Sequence, residues 1–295
     1  MVKSTIFHLP KSLAPSLGAI ASSCSLLNVK RIGVVVPTLF TRPDYLEKCL
    51  ESILAAGDAH VLLMGPNVKK NAEPYKRFIN YTIEEPIGGN LSAKISLALR
   101  SFPKEIELIT WIGDDDLLQR DSLKILQREF ERDDSLVLAF GSCDYIDSFG
   151  SRIGTNRSSP WSLALARVGP FLAPQPGSLF LRKAFEEIDG LDEDLRLAFD
   201  FDLFLSLAKQ GRVKHFDRSL ASFRWHEDSL SVGLRKLSVK EASIVRNKHA
   251  SSKLKVLLWL TNPFVELATY IAGSIVNQML RNRLRNKLRT EEETK

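Results

Sequence analysis

From Arg31 onward the chain alternates short apolar, β-branched runs with segments whose apolar residues recur at helical spacing. That alternation leaves few folds open. Ile32 to Val36 is a β-branched run ended by Pro37, and Asp44 to Leu54 follows with Leu46, Leu50, Ile53 and Leu54 on one helical face. His60 to Met64 reads as a second strand, closed by Gly65 and Pro66, and residues 77–83 as a third. After Gly88 and Gly89, Leu91 to Leu99 reads as a helix, and Ile106 to Ile112 as a further strand. Strands and helices taking turns in this way imply right-handed crossovers and a mainly parallel sheet covered by helices on both faces. This is a nucleotide-binding α/β architecture.

The strand at 106–112 runs directly into three aspartates in WIGDDDLL, Trp111 to Leu118. Open α/β sheets bind ligands in the crevice outside the carboxyl ends of their strands, and clustered carboxylates there suit a hard divalent cation with a diphosphate. Two plainer readings stay open. One is an Asp-rich turn in which Asp116 or Asp121 caps the next helix, and the other is a solvated acidic patch.

Read in order, the pieces resemble family 2 glycosyltransferases. PTLFTRPDYLEKCLESIL after the opening strand resembles that family's first helix, GGNLSAKISLAL its second, and WIGDDDLL its metal-binding segment. GSLFLRKAFEEIDGLDEDLRLAFDFDLFLSLAKQG resembles the acceptor-side motif, and SLASFRWHEDSLS the closing strand with its histidine. The likeness covers residues 31–232. It implies a GT-A (Rossmann-like) domain that transfers a sugar from a nucleotide-diphosphate donor to a hydroxyl, inverting the anomeric carbon, with Mg²⁺ or Mn²⁺ as cofactor.

The resemblance also assigns roles. The family segment reads L-D-x-D-D, so Gly113 replaces its first acid, Asp114 falls on the variable position, and Asp115 and Asp116 become the metal and diphosphate ligands. Asp114 is then either a ribose contact displaced by one residue or a solvated side chain. In AFDFDLF the base that takes the acceptor proton is Asp200, with Phe199 in place of the family's Glu; burial among phenylalanines would raise its proton affinity. Asp202 has a structural or capping role on the acceptor side, where Gly177 and Ser178 open the motif. His226, in RWHEDSLS, joins the metal or the diphosphate. Pro37, Thr38 and Arg42 in the first loop, with Asn90 and Lys94 at the second helix, are the remaining nucleotide-sugar contacts. Lys94 either pairs with phosphate or solvates a helix face. The turn Met64 to Asn67 lacks the acid that commonly contacts the base.

The formal charge of +6 belongs to the tail: residues 1–230 carry 28 basic and 30 acidic residues, residues 231–295 carry 13 and 5. With no aromatic interleaving in the tail and a slightly acidic main region, nucleic acid is not the expected partner. Three cysteines, Cys24, Cys49 and Cys143, lie far apart and make neither a disulfide framework nor a zinc site, which fits a reducing cytoplasm. Residues 1–30 contain no acid, and Pro15 interrupts their apolar stretch; a short, poorly ordered extension is expected ahead of the folded domain.

Beyond residue 232 lies a basic region expected to be helical at 235–255, followed by uncharged runs Val256 to Val265 and Leu267 to Leu280 broken by Pro263 and Glu266. Neither run reaches the roughly 20 residues that span a bilayer. Leu267, Ile271, Ile275 and Met279 recur every four positions, and arginines and lysines intersperse the leucines that follow, an interfacial pattern. A membrane surface contacted through 254–290, on the inner face of the cytoplasmic membrane, is one expectation; packing back onto the protein is the other. A lipid-linked or polymeric glycan acceptor fits the first. Rival functions are a degenerate transferase that binds glycan or a partner, and a sugar nucleotidyltransferase, whose glycine-rich, lysine-bearing loop is missing near residue 37.

Overall fold

The computed structural model describes residues 29–225 and 234–293. The N-terminal extension, up to residue 28, and the histidine position 226 therefore lie outside the described residues.

The first half of the fold is the expected alternation. β1 (Arg31–Pro37) leads into α1 (Pro43–Ala56), β2 (Ala59–Gly65), a short α2 (Val68–Asn71), β3 (Tyr81–Glu84), α3 (Leu91–Arg100) and β4 (Ile106–Trp111). β3, β2, β1 and β4 lie side by side, all parallel. Period-two side-chain alternation divides their residues between two cores. Val34 and Val36 join Leu46, Leu50 and Ile53 of α1 on one face, while Val35 joins Ile109, Trp111, Ile95 and Leu99 on the other. Burial on both faces explains why β1 is a continuous valine run.

One strand is shorter than the sequence suggests. The 77–83 run forms a strand only from Tyr81, because Phe78 closes a turn on Tyr75 and Asn80 caps the start, its Oδ1 accepting from the Val61 N–H at 2.9 Å.

After the aspartates come β5 (Leu117–Leu118), α4 (Ser122–Arg132), β6 (Leu136–Ile146), β7 (Arg152–Asn156), α5 (Ser162–Ala166), β8 (Leu179–Leu181), α6 (Arg182–Glu187), α7 (Phe199–Leu207) and β9 (Arg212–Arg224). The sheet order is β3-β2-β1-β4-β8-β6-β9-β5, with β7 on β6. β8 is antiparallel to both neighbours, β6 and β9 are parallel, and β5 closes antiparallel on β9. The result is a mixed sheet whose first half is parallel.

Two helices complete the chain, α8 (Arg235–His249) and α9 (Ser252–Glu293). α8 buries Val245 in the same core as β4 and α7. α9 runs unbroken through Pro263, where the sequence suggested an interruption; a single proline removes one donor, and the surrounding turns keep their bonds. Its Leu258, Asn262 and Leu280 are buried, and Leu280 packs with Ile153 and Trp225. By length and composition alone, its Ser252–Arg283 stretch is apolar enough to cross a membrane.

Candidate active site

The carboxyl ends of β1, β2 and β4 open onto a cleft of about 630 Å³. Pro37, Thr38, Arg42, Lys94, Asp114, Asp115, Asp116 and Asp200 all line it. Residues more than 160 positions apart thus meet where the parallel strands end, the place such sheets bind ligands.

Each aspartate is held differently. Thr38 donates its hydroxyl to Asp114 Oδ2 at 2.6 Å while its own Oγ1 accepts from the Phe40 N–H. Arg42 pairs with Asp115 Oδ2 at 2.9 Å. Asp116, 4% exposed, takes the backbone N–H of Arg224 on Oδ1 at 2.9 Å. The Arg224 side chain is itself buried. Its Nε donates to the Asp115 carbonyl, Nη1 donates to the carbonyls of Asp147 and Ser148, and the guanidinium lies 4.3 Å over the Tyr45 ring. Burial, reinforced by the charge of Asp115, pushes the Asp116 carboxyl well above the usual carboxylate range. Burial also raises Asp114, against the opposing Thr38 hydrogen bond. Beneath them the buried Cys49 thiol, raised first by burial and then by Asp116, faces the Gly113 carbonyl.

The readings of Asp116 or Asp121 as helix caps do not hold. Asp121 occupies the position before α4 in a left-handed conformation and makes no capping bond with its side chain. Asp116 is committed to the backbone of β9.

Gly113 gives the acids room. A Cβ there would stand 3.1 Å from Asp115 Oδ1 and 3.3 Å from Asp116 Oδ2, so these two carboxylate oxygens face the same small space. No group of three or more ligating side chains converges among the described residues. Two carboxylate oxygens, with further ligands from phosphates and water, are a donor set suited to Mg²⁺ or Mn²⁺ brought with a diphosphate. The residues present fit the group.

Asp200 is the second residue of α7, and Ala198, at the cap position, makes no side-chain cap bond. The helix begins at Phe199, so both acids of this motif lie inside its first turn and not ahead of it. Asp200 Oδ1 accepts the Phe201 N–H at 2.7 Å, yet burial against Phe199 and its neighbours lifts its carboxyl to about 6. A carboxyl near neutrality facing a cleft is poised to exchange a proton.

Four expected residues do not line the cleft. Asn90 turns its amide to the Glu193 carbonyl. Gly177 holds φ +78°, where a Cβ would stand 2.9 Å from the Leu220 backbone, and Ser178 beside it is fully buried, so this pair packs the turn before β8 against β9. Asp202 bonds His249 Nε2 at 2.7 Å and Lys248 Nζ at 3.0 Å. Lys94 does line the cleft, but paired with Glu85 at 2.7 Å. Conversely, Glu85, Gln175 and Ser238 line the cleft without any local sequence signal; Trp111 and Arg196 also line it, from within motifs that assign them no role. Arg224 was within reach of sequence reasoning, since it stands two residues before His226 in the same motif.

No family model matches the chain. It is 23% identical over 232 residues to the hyaluronan synthase of Pasteurella multocida, covering 75% of this chain and 23% of that protein. The chain thus spans about a quarter of the length of this curated relative. Among solved structures it superposes on the mannosyltransferase PcManGT of Pyrobaculum calidifontis in complex with GDP-Man and Mn²⁺, with a TM-score of 0.56 and 16% identity, covering 88% of this chain and 80% of that one. It superposes also on S. aureus TarS 1–349 in complex with UDP, with a TM-score of 0.50 and 14% identity, covering 74% and 70%. With its aspartates at the end of β4, its mixed sheet and these relatives, the chain has a GT-A fold and is similar to glycosyltransferases of family 2.

Proposed function

We propose that the chain transfers a sugar from a nucleotide-diphosphate donor to a hydroxyl of a glycan or lipid-linked acceptor, with inversion and with a divalent cation. The observation that carries this reading is the meeting of Asp115, Asp116 and Asp200 in one cleft. The UDP complex of TarS and the GDP-Man and Mn²⁺ complex of PcManGT support the donor class.

The chemistry needs two things of the protein. Charge accumulating on the departing diphosphate must be stabilised, and Mg²⁺ or Mn²⁺ held by Asp115 and Asp116 would supply that as a Lewis acid. The acceptor oxygen must lose its proton as it attacks. Asp200 takes that proton while the oxygen bonds to the anomeric carbon and the carbon–oxygen bond to the diphosphate breaks, its electron pair leaving with the diphosphate. Attack from the face opposite the leaving group inverts the centre. Thr38 fixes Asp114 at the cleft's nucleotide side, and Arg42 offers a cation that can exchange Asp115 for a donor phosphate. His226, on motif resemblance, would join the diphosphate or the cation.

We assign residues 31–232 to the transferase unit, and the exposed stripe of α9 supports a second feature of the reading, contact with a membrane surface on its cytoplasmic side. Leu267, Ile271, Ile275 and Met279 are 59%, 48%, 49% and 56% exposed, so among the described residues nothing covers the stripe. Lys253 and Lys255, both exposed, precede the stripe and are placed to meet anionic lipid.

The deciding experiment is a panel of nucleotide sugars tested for binding by calorimetry and for transfer or hydrolysis, with and without Mn²⁺. Binding of one donor with metal-dependent turnover is expected. A protein that binds none and turns over none is not a transferase, and binding without turnover would mark a degenerate one.

A further inference from the structure

Glu241 is 5% exposed, and among the described residues no lysine or arginine pairs with it. Its charge is satisfied instead by three consecutive peptide groups. Oε1 accepts from the Arg196 N–H at 3.1 Å, and Oε2 accepts from the Leu197 and Ala198 N–H groups at 2.8 and 3.0 Å. These residues lead directly into α7, and Asp200 follows two positions later. An apolar side chain would occupy such a site at lower cost in desolvation, so the carboxylate is explained by the segment it holds. Charge-assisted bonds to adjacent backbone donors fix a chain's path more tightly than a single side-chain contact, and the negative charge also suits the amino end of the helix.

The same helix grips that segment a second time. Two turns beyond Glu241, Lys248 reaches both Asp192 at 2.7 Å and Asp202 at 3.0 Å, and His249 meets Asp202 at 2.7 Å. Residues 192–202 are therefore pinned by α8 at their middle and at both ends, while Ser238 of α8 lines the cleft itself. We infer that Glu241 is a positioning residue for Asp200, and that α8, although it follows the 31–232 transferase unit, works with that unit and not with the tail. Glu241 touches no substrate. It sets where the base-bearing turn stands relative to the acceptor hydroxyl, and this role rests on the transfer reading above.

The test compares the full-length wild type with Glu241→Gln and Glu241→Asp. Glutamine keeps the shape but turns an NH₂ donor toward peptide donors, so it retains one accepting oxygen at most. Glutamine is expected to speed deuterium exchange in the peptide spanning 194–202 and to lower kcat for transfer by about tenfold to a hundredfold, the scale of a small misplacement of reacting groups. The Kd for nucleoside diphosphate with Mn²⁺ should stay within about twofold, because the donor side is held by β1 and β4. Aspartate, which keeps the charge and both acceptors on a shorter stem, should recover part of the rate; it also serves if the glutamine variant does not fold. Faster exchange with kcat unchanged, exchange unchanged at 194–202, or loss of donor binding in parallel with kcat would each overturn the proposal. If the wild type transfers no sugar, the transfer reading falls, and the exchange at 194–202 still decides whether the clamp exists.

Discussion

Asp200→Asn separates function from stability in opposite directions. Burial raises the Asp200 carboxyl from 3.8 to about 6, which at about 1.4 kcal/mol per pH unit corresponds to roughly 3 kcal/mol of penalty for holding the ionised form in the fold. The folded state binds more protons than the unfolded one between those two values, so stability falls as pH rises from about 4 to 6 and levels off above. Asparagine removes the charge and keeps an oxygen for the Phe201 N–H. Near pH 7 the variant should be more stable than wild type by about 1–3 kcal/mol, the lower end allowing for relaxation and solvent access. Its transfer rate should drop by about 10²–10⁴. Urea unfolding at pH 4.5 to 8 reads the first effect and product formation the second. In the wild type, the rate should fall about tenfold per pH unit below the Asp200 midpoint and be flat above it. A variant that is less stable at pH 7 while remaining fully active would refute both the burial argument and the assignment of the base.

Three other outcomes follow from the geometry. Gly113→Ala places a methyl 3.1 Å from Asp115 Oδ1 and 3.3 Å from Asp116 Oδ2; Mn²⁺-dependent donor binding should weaken at least about tenfold with stability changed by under about 1 kcal/mol, since the backbone there is unstrained. Calorimetry with and without metal reads it, and unchanged affinity would show that the two oxygens do not serve a cation. Arg224→Met removes the donor to three backbone carbonyls, those of Asp115, Asp147 and Ser148, and leaves Asp116 less compensated, which should cost about 3–5 kcal/mol in thermal unfolding; a loss under about 1 kcal/mol would mean the guanidinium is incidental. Leu267→Glu with Ile275→Glu should abolish flotation with anionic lipid vesicles while leaving the melting temperature near wild type, as both side chains are exposed. Retained flotation would remove the membrane reading of α9.

The local patterns in this chain were legible because they arise from short-range physics. A valine run bounded by Pro37 has to be a buried strand, and Leu46, Leu50 and Ile53 have to share a helix face, so β1, α1, β2, α3 and β4 follow from spacing alone. The aspartates could be placed at the end of β4 for the same reason. The mixed half of the sheet was not legible, since β8 is three residues long and its antiparallel partners are 40 to 73 positions away. Nor could spacing show that α9 passes through Pro263, where one lost hydrogen bond is outweighed by forty neighbours of helical habit.

Asp115, Asp116 and Asp200 as the acids of interest, and the exposed stripe of α9, were set by the order of residues along the chain. What each acid is bonded to was decided by tertiary structure: Asp116 by a peptide group 108 residues away, Asp202 by His249, and the segment before Asp200 by Glu241. The physical reason is common to all three. Periodicity records which residues must leave water, but a buried carboxylate takes whichever donor the completed fold brings within three ångströms, and that donor leaves no trace in the residues beside it.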